Sequence, residues 1–323
     1  MAAIDGEARA KRVKFREILK RDTLTVMPGG FSPLYARMAE EIGFECFFLA
    51  GSQMSAFLLG VPDNGILGLR DMVDHARQAA ARTSIAIQLD ADTGFGNAVN
   101  VHFAVQEVVR SGVASMNLED QEAPKKSATT AGRRCIPMAE AVGKIKAAVA
   151  ARDEVDPEFV ICARNDTLGA EGSDFSEALE RCIAYVEEGG ADFIWLNSVE
   201  TREDLARACA EIPAPVLTIW GGKDHAPSPE EYEQMGVRIA LYPVCAATSG
   251  MQAAWHVLND LHARGPVALE EFAAQMAAGP YSLVDQKMLT RADKVRQVED
   301  DYLPESMQRD YGSTWGHKGQ GGG

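Results

Sequence analysis

Two aspartates in the first third of the chain have the spacing expected of metal ligands. Asp90 and Asp92 follow an apolar run at residues 85–89, which predicts a buried strand. Because side chains alternate along a strand, the two carboxylates are expected on the same face. Such a pair repels itself unless a cation lies nearby, and the hard cation that suits carboxylate oxygens is Mg²⁺. The alternative is a pair of solvated aspartates in a turn.

Further polar residues stand where other apolar segments end, and the carboxyl ends of parallel strands meet at one edge. A metal-binding group of acids, together with Lys and Arg, could bind a carboxylate substrate and stabilise an enolate. Structural roles also remain open, with Asp63 as a turn former, Glu119 as a surface cap and Arg164 in an ion pair. The residues expected to converge are Ser52, Asp63, Asp90, Asp92, Glu119, Lys125, Arg164, Asn165 and Asn197.

The composition is that of a globular protein and excludes several kinds of partner. The 323 residues are 46% hydrophobic and 24% charged, which is enough for a sizeable core. A net charge of −15 leaves no basic face for nucleic acid. No apolar run approaches the roughly 20 residues of a membrane span, and the charged start of the chain does not resemble a signal peptide. Six scattered cysteines without a CxxC pair indicate reduced core residues of a cytosolic protein.

Predicted strands and helices alternate about eight times between residues 23 and 263. Alternation of this kind predicts a parallel sheet, and eight units predict a closed (β/α)8 TIM barrel. A doubly wound open sheet is the alternative, which the absence of GxGxxG after the first strand disfavours. Ser32, Asn97 and Ser228 are predicted to cap helices and Gly43 to end one, whereas residues 28–30 (PGG) are predicted to form a turn.

The organisation predicted from these patterns is one barrel domain spanning residues 1–323, with its core at about 13–263. Residues 264–304 form a C-terminal helical extension that carries apolar side chains beyond the needs of a minimal barrel. These side chains are expected to pack on a neighbouring subunit. The glycine-rich tail at 305–323 is predicted to be largely disordered.

In this order the motifs resemble those of the isocitrate lyase / phosphoenolpyruvate mutase superfamily, over about residues 13–263. The resemblance implies an Mg²⁺-dependent barrel, typically a tetramer that exchanges a C-terminal helix between subunits. It also implies that a C–C or P–C bond next to a carboxylate is made or broken. The matching segments are residues 48–52 (FLAGS), 60–63 (GVPD), 90–96 (DADTGFG), 118–121 (LEDQ), 124–126 (PKK), 163–166 (ARND) and 236–238 (GVR).

The resemblance also implies roles for individual acids in binding the metal. Asp92 matches the direct ligand of Mg²⁺, for which Mn²⁺ is an alternative. Asp63, Asp90 and Glu119 match acids that hold the waters bound to the metal.

Other positions match residues that contact the substrate. Gly51 and Ser52 match the backbone amides that bind the substrate carboxylate, and Arg164 matches the arginine that neutralises the substrate or enolate oxygen. Lys125 matches the lysine that opens a mobile gating loop. Asn197 stands where a glutamate is expected, at the end of the sixth strand.

The gating loop departs from the pattern of the isocitrate and methylisocitrate lyases. Residues 125–129 read KKSAT, so Ser127 stands in place of the cysteine that acts as general acid in those enzymes. A serine hydroxyl is a far weaker acid. The similarity is greatest to oxaloacetate decarboxylase-like and 2,3-dimethylmalate lyase-like members, through residues 132–137 (GRRCIP) and 140–145 (EAVGKI). Residues 243–245 (PVC) replace the histidine that the decarboxylases place after strand eight.

The function predicted from these observations is that of an Mg²⁺-dependent carbon–carbon lyase. It would act on a small di- or tricarboxylate with a 2-oxo or 2-hydroxy group, through an enolate. Decarboxylation of an oxaloacetate-like acid is the favoured form. The alternatives are retro-aldol cleavage of an alkylmalate or a methylisocitrate-like acid, and P–C chemistry on phosphonopyruvate. A barrel that only binds a dicarboxylate is a further alternative. A homo-oligomer, dimer or tetramer, is expected, without nucleic-acid or membrane partners.

Overall fold

Eight parallel strands close into a barrel in the computed structural model, which describes residues 6–127, 130–309 and 311. The strands are β1 (Thr25–Gly30), β2 (Cys46–Leu49), β3 (Ala86–Asp90), β4 (Ser115–Glu119), β5 (Val160–Asn165), β6 (Phe193–Val199), β7 (Val216–Trp220) and β8 (Ile239–Tyr242). Each strand pairs with the next along the chain, and β8 pairs with β1. The predicted (β/α)8 barrel is therefore confirmed, and the open sheet is wrong.

Helices separate the strands and continue after the last of them. They are α1 (Gly6–Lys20), α2 (Pro33–Ile42), α3 (Gly51–Met54), α4 (Leu69–Ala80), α5 (Ala98–Arg110), α6 (Met138–Val155), α7 (Phe175–Glu187), α8 (Arg202–Glu211), α9 (Pro229–Gln234), α10 (Cys245–Arg264), α11 (Pro266–Ala278), α12 (Gln286–Thr290) and α13 (Asp293–Tyr302). A π-helical segment (Ser55–Leu59) continues α3, and a 3₁₀ turn (Glu305–Met307) follows α13. No helix in the part of the chain described is long and apolar enough to cross a membrane.

The helix ends follow local signals in the sequence. The side chains of Ser32, Asn97 and Ser228 each accept a hydrogen bond from a backbone N–H in the first turn of α2, α5 and α9. Gly43 ends α2 with a φ of 102°, a conformation that glycine adopts without steric cost. These four predictions are confirmed.

The predicted turn at residues 28–30 is wrong, because β1 runs through it. Gly29 pairs with Phe48 of β2 within the barrel. A Cβ atom on Gly29 would lie 2.5 Å from the carbonyl oxygen of Pro243. Glycine is therefore used here for the close approach of another backbone segment and not for chain reversal.

Helix α1 covers the amino-terminal end of the barrel. The side chains of Phe15 and Ile18 are fully buried in a cluster with the first residues of several strands, among them Phe193. The Phe15 and Phe193 rings lie 5.8 Å apart. Because this end is filled with apolar side chains, the opposite end, where the strands finish, remains for a site.

The chain divides into two compact units, one up to Ala254 and one from Trp255 onward, with the boundary inside α10. The second unit is helical and exposes large apolar side chains, including Tyr281 and Leu283. The predicted single domain with a helical extension, its exchange between subunits and the oligomeric state stay predictions. Most of the tail predicted to be disordered lies outside the described residues.

Candidate active site

A cavity of about 620 Å³ opens at the carboxyl ends of the barrel strands. One part of its lining is charged or polar and another part is apolar. The charged and polar residues include Ser52, Asp63, Asp90, Ser127, Arg133, Arg164 and Asn197. The apolar residues include Phe48, Trp195, Ile219, Trp220, Leu241 and Val244.

The predicted aspartate pair lies beside the first residue of α3. The Asp90 carboxylate accepts hydrogen bonds from the Gly51 amide at 3.1 Å and from the Asn117 side chain at 2.9 Å. A Cβ on Gly51 would lie 3.0 Å from Asp90 Oδ2 and 3.2 Å from Asp92 Oδ1, so both carboxylates converge there. The reason why the two carboxylates converge differs from the one predicted. Since β3 ends at Asp90 and Asp92 has a φ of 46°, a turn places Asp92 and strand alternation does not.

The ammonium group of Lys125 lies among three of the four predicted metal-binding acids. Its Nζ is 2.5 Å from Asp92 Oδ1, 3.0 Å from Asp63 Oδ1 and 3.4 Å from Glu119 Oε1. These three oxygen atoms are buried and accept no hydrogen bond of good geometry, so the ion pairs are their main compensation. Within the described residues, no three acidic, cysteine or histidine side chains stand in the arrangement of a formed metal site.

Burial and mutual repulsion perturb the pKa values of these groups. Burial, opposed by Lys125 and reinforced by Asp90, raises the pKa of Asp92 to about 6. Burial also raises the pKa of Glu119 well above its ordinary value. Burial alone would lower the pKa of Lys125, but the surrounding carboxylates hold it well above its ordinary value, so this lysine stays charged.

The raised pKa of Asp92 leads to a prediction about stability. A carboxyl group with a folded-state pKa near 6 stabilises the protein below its unfolded value of 3.8, and this contribution is lost as the pH rises through 6. We therefore expect Asp92→Asn to stabilise the metal-free protein at pH 7.5, by on the order of 1–3 kcal/mol. Urea unfolding in EDTA at pH 7.5 and pH 4.5 measures the free energy of unfolding of the variant and the wild type. The stabilisation of the variant relative to the wild type should be smaller at pH 4.5. A variant less stable than wild type at both pH values would contradict this account.

Arg164 is held rigidly at the end of β5. Register pairing places it beside Glu119, whose carboxylate is 3.2 Å from Nη2. Asp166 accepts a hydrogen bond from Nη2 at 3.0 Å and lies 2.8 Å from Nε in an ion pair, and the guanidinium stacks on the Trp195 ring at 4.3 Å. The Arg164 guanidinium is therefore ion-paired, as one alternative from the sequence had it. The same group also lines the cavity.

Asp166 connects Arg164 to two more residues that line the cavity. Its carboxylate also accepts from Arg133 at 3.1 Å and from the side-chain amide of Asn197 at 2.6 Å. Burial opposes its ionisation, but Arg164 and these donors hold the pKa of Asp166 below its ordinary value. Its backbone N–H donates to Asp120 at 2.8 Å.

Asp120 forms the centre of a second buried network behind the end of β5. It accepts hydrogen bonds from the Tyr185 hydroxyl at 2.6 Å and from the Asn165 side chain at 3.2 Å. These bonds determine the backbone path through residues 165–167. The orientation of Arg164 and Asp166 therefore depends on groups that do not line the cavity.

The structure brings the predicted site residues together, with differences in detail. Ser52, Ser127 and Asn197 line the cavity, as do Asp63, Asp90 and Arg164, whereas Asp92, Glu119 and Lys125 are buried beside it. The Gly51 amide donates to Asp90, so it is already engaged. Residues 128 and 129 of the predicted gating loop lie outside the described residues.

Three residues of this site were not predicted from the sequence. They are Asp166 and Trp195, which hold Arg164, and Arg133, which donates to Asp166. Asp166 stands in the ARND segment at the end of a predicted strand, so its position was a usable signal. Trp195 lies inside an apolar strand and Arg133 in a polar loop, where nothing local indicates a role.

The prediction that the cysteines are core residues holds for only part of the set. Cys46, Cys162 and Cys182 are buried, whereas Cys245 is exposed and lines the cavity. Cys135 is partly buried, and its thiol lies 3.6 Å from Asp120. Burial and the negative charge of Asp120 raise the pKa of Cys135 above its ordinary value.

A closed parallel barrel with a charged cavity at the carboxyl ends of its strands has the architecture of the (β/α)8 enzymes. Residues 15–262 match the family model described as phosphoenolpyruvate phosphomutase. The chain is 36% identical to 2,3-dimethylmalate lyase of Eubacterium barkeri, over 90% of this chain and 97% of that protein. The chain therefore belongs to the phosphoenolpyruvate phosphomutase family, within the isocitrate lyase superfamily, and is an enzyme of the lyase type.

Two solved structures are similar over nearly the whole chain. Oxaloacetate acetylhydrolase with the inhibitor 3,3-difluorooxalacetate has a TM-score of 0.80 at 29% identity, covering 91% of this chain and 97% of that one. Phosphonopyruvate hydrolase with oxalate and Mg²⁺ has a TM-score of 0.77 at 28% identity, covering 91% and 99%. The predicted superfamily is confirmed, while the particular reaction is not determined by these likenesses.

Proposed function

We propose that this enzyme cleaves a C–C bond in a 2-hydroxy dicarboxylate that carries alkyl substituents, in a reaction that depends on Mg²⁺. The observation that carries the proposal is the mixed lining of the cavity, which includes the charged Arg164 and Asp90 as well as apolar residues such as Trp220. A charged part suits the carboxylate and hydroxyl groups, and an apolar part suits alkyl groups. The relative named for 2,3-dimethylmalate supports the same substrate class.

The acid cluster fits a hard divalent cation. Asp63, Asp92 and Glu119 present buried oxygens without hydrogen bonds, and carboxylate oxygens are the donors that Mg²⁺ prefers. We propose that Asp92 binds the cation directly and that Asp63, Asp90 and Glu119 hold its waters. When bound, the cation supplies Lewis-acid stabilisation of negative charge on substrate oxygens.

The protein's own groups supply the remaining chemistry. Arg164, fixed by Asp166 and Trp195, offers a positioned positive charge to a carboxylate of the substrate. In a retro-aldol cleavage the 2-hydroxyl gives its proton to a carboxylate that lines the cavity, and the C2–C3 bond breaks. A 2-oxo acid forms, and the electron pair of the broken bond stays with C3 as an enolate. The enolate then takes a proton at C3. Ser127 and Cys245 both line the cavity and carry an exchangeable proton, and a thiol is the stronger acid of the two groups.

Two other reactions fit the same charged groups. Decarboxylation of an oxaloacetate-like acid, the form favoured by the sequence, would leave an enolate beside Arg164 in the same way. The likeness to oxaloacetate acetylhydrolase favours an oxaloacetate-sized ligand. Cleavage of a P–C bond is the remaining alternative. The similarity to phosphonopyruvate hydrolase is the reason to include phosphonopyruvate among the substrates tested.

A substrate panel separates these reactions by their products. Malate, 2,3-dimethylmalate, 2-methylisocitrate, oxaloacetate and phosphonopyruvate are incubated with enzyme and Mg²⁺, and the products are identified by mass spectrometry. We expect a 2-oxo acid and a second carboxylic acid from the alkylated malate, with kcat/KM at least about tenfold above that for malate. Carbon dioxide from oxaloacetate or phosphate from phosphonopyruvate as the fastest reaction would overturn the proposal.

Trp220 provides the matched pair of variants for this experiment. Trp220→Ala removes part of the apolar lining, so the preference for the alkylated substrate should fall by about an order of magnitude. Trp220→Phe retains an aromatic ring and should preserve most of the preference. If both variants prefer the alkylated substrate over malate as strongly as the wild type does, the apolar lining at Trp220 does not select the substrate.

A further inference from the structure

Lys125 is the cationic partner of the acids that are proposed to bind the metal. Its Nζ contacts one oxygen each of Asp92, Asp63 and Glu119, at 2.5, 3.0 and 3.4 Å. The Lys125 side chain is 2% exposed, so the ammonium is almost completely withdrawn from water. A buried ammonium is tolerated only when nearby charges compensate it, and these three carboxylates do so.

The same three carboxylate oxygens cannot serve both the ammonium and a divalent cation. Asp63 Oδ1, Asp92 Oδ1 and Glu119 Oε1 accept no hydrogen bond of good geometry, so their ion pairs with Lys125 are what a divalent cation would have to replace. A cation bound to Asp92 directly, and to the other two acids through its waters, would lie within a few ångströms of Nζ, inside a poorly screened interior. Repulsion between a divalent and a monovalent charge at such a separation is strongly unfavourable. One of the two cations must therefore leave.

We propose that the Lys125 ammonium occupies the cation site of the metal-free enzyme and is displaced from it when the divalent cation binds. The proposal rests on the metal site of the proposed function and adds a competition that this site alone does not require. The lysine keeps the buried acids neutralised before the metal arrives, at the cost of a weaker affinity for the metal. Displacement also moves residue 125, which belongs to the start of the gating loop predicted from the sequence.

The first test compares Mg²⁺ binding to metal-free wild type, Lys125→Met and the control Lys126→Met by isothermal titration calorimetry. Lys126 is adjacent in sequence and is not part of the ion pairs that Lys125 makes with the acids. We expect Lys125→Met to bind Mg²⁺ about tenfold more tightly or better, because a competing charge is removed. Lys126→Met should bind like the wild type.

The thermal midpoint gives a second readout of the same competition. Without metal, Lys125→Met leaves buried carboxylates uncompensated, and its midpoint should fall by roughly 5–10 °C. Saturating Mg²⁺ should raise the midpoint of this variant more than that of the wild type. If Lys125→Met binds Mg²⁺ no more tightly than the wild type, the competition is refuted while the metal site stands. If no variant binds Mg²⁺, the metal site of the proposed function fails and this inference fails with it.

A measurement on the wild-type protein keeps the proposal testable if Lys125→Met does not fold. Acetic anhydride labels accessible amines, and mass spectrometry quantifies the label at each lysine. Labelling of Lys125 should increase several-fold when saturating Mg²⁺ is added. Lys11 is the internal control, because its amine donates to the Ala80 carbonyl at 2.7 Å, away from the acids, and its labelling should not change. A Lys125 that stays equally protected with bound Mg²⁺ would overturn the displacement.

Discussion

Removal of divalent cations is expected to reduce turnover of the preferred substrate by about 10³-fold or more, and added Mg²⁺ should restore it. The reason lies in the charges of the site. The proposed reaction would develop negative charge on oxygen beside Asp63, Asp90, Asp92 and Glu119, and these acids would repel it unless a cation compensates them. Dialysis against EDTA, followed by rate measurements during titration with MgCl₂, gives the result. Mn²⁺ should substitute at least partly, because it accepts the same oxygen ligands.

The control for this experiment is the folded state of the metal-free enzyme. Since Lys125 compensates the acids, EDTA should leave the circular dichroism spectrum of the barrel unchanged. Loss of activity would then report on chemistry and not on unfolding. If chelation leaves the rate unaltered, the proposed metal mechanism is wrong, whatever the fold and the family.

Replacement of Arg164 by lysine is the second change from which we expect a large effect. Lysine keeps the positive charge, but it cannot reproduce the contact of two guanidinium nitrogens with Asp166 or the stacking on Trp195. The charge offered to the substrate would then be mobile and displaced. We expect kcat/KM to fall by about 10²–10³-fold, a range typical of the loss of one positioned electrostatic group. Steady-state kinetics with the preferred substrate measure the effect.

The matched control is Arg134→Lys. Arg134 also pairs with a carboxylate, Glu171 at 2.9 Å, but both side chains are mostly exposed, so the exchange should change neither stability nor kcat/KM appreciably. The thermal midpoint of Arg164→Lys separates misfolding from a local defect. An Arg164→Lys enzyme that retains the wild-type kcat/KM would show that the guanidinium serves the structure only.

The barrel could be predicted from the sequence because its signals are local and repeated. Short apolar runs alternate with amphipathic segments, and caps such as Ser32 and Asn97 mark where helices begin. Because parallel strands are joined by helices, the carboxyl ends of all strands meet at one rim of the barrel. The sequence alone therefore predicts that polar residues at those ends, such as Asp90 and Arg164, meet at a common site.

The placement of individual side chains depended on contacts between segments distant in sequence. Gly29 belongs to a strand because the Pro243 backbone passes beside it. Arg164 stacks on Trp195 of one neighbouring strand and pairs with Glu119 of the other. Periodicity and spacing carry no information on such approaches.

The sequence by itself determined the barrel, its superfamily and the set of acids that the folded chain brings together. Only the tertiary structure showed that Lys125 reaches into those acids and that apolar residues such as Trp220 line the same cavity as Arg164. The physical reason is the range of the interactions. Backbone preferences and hydrophobic alternation act over a few residues, whereas the partner of a buried charge is chosen by whichever segment the folded chain brings within about 3–4 Å.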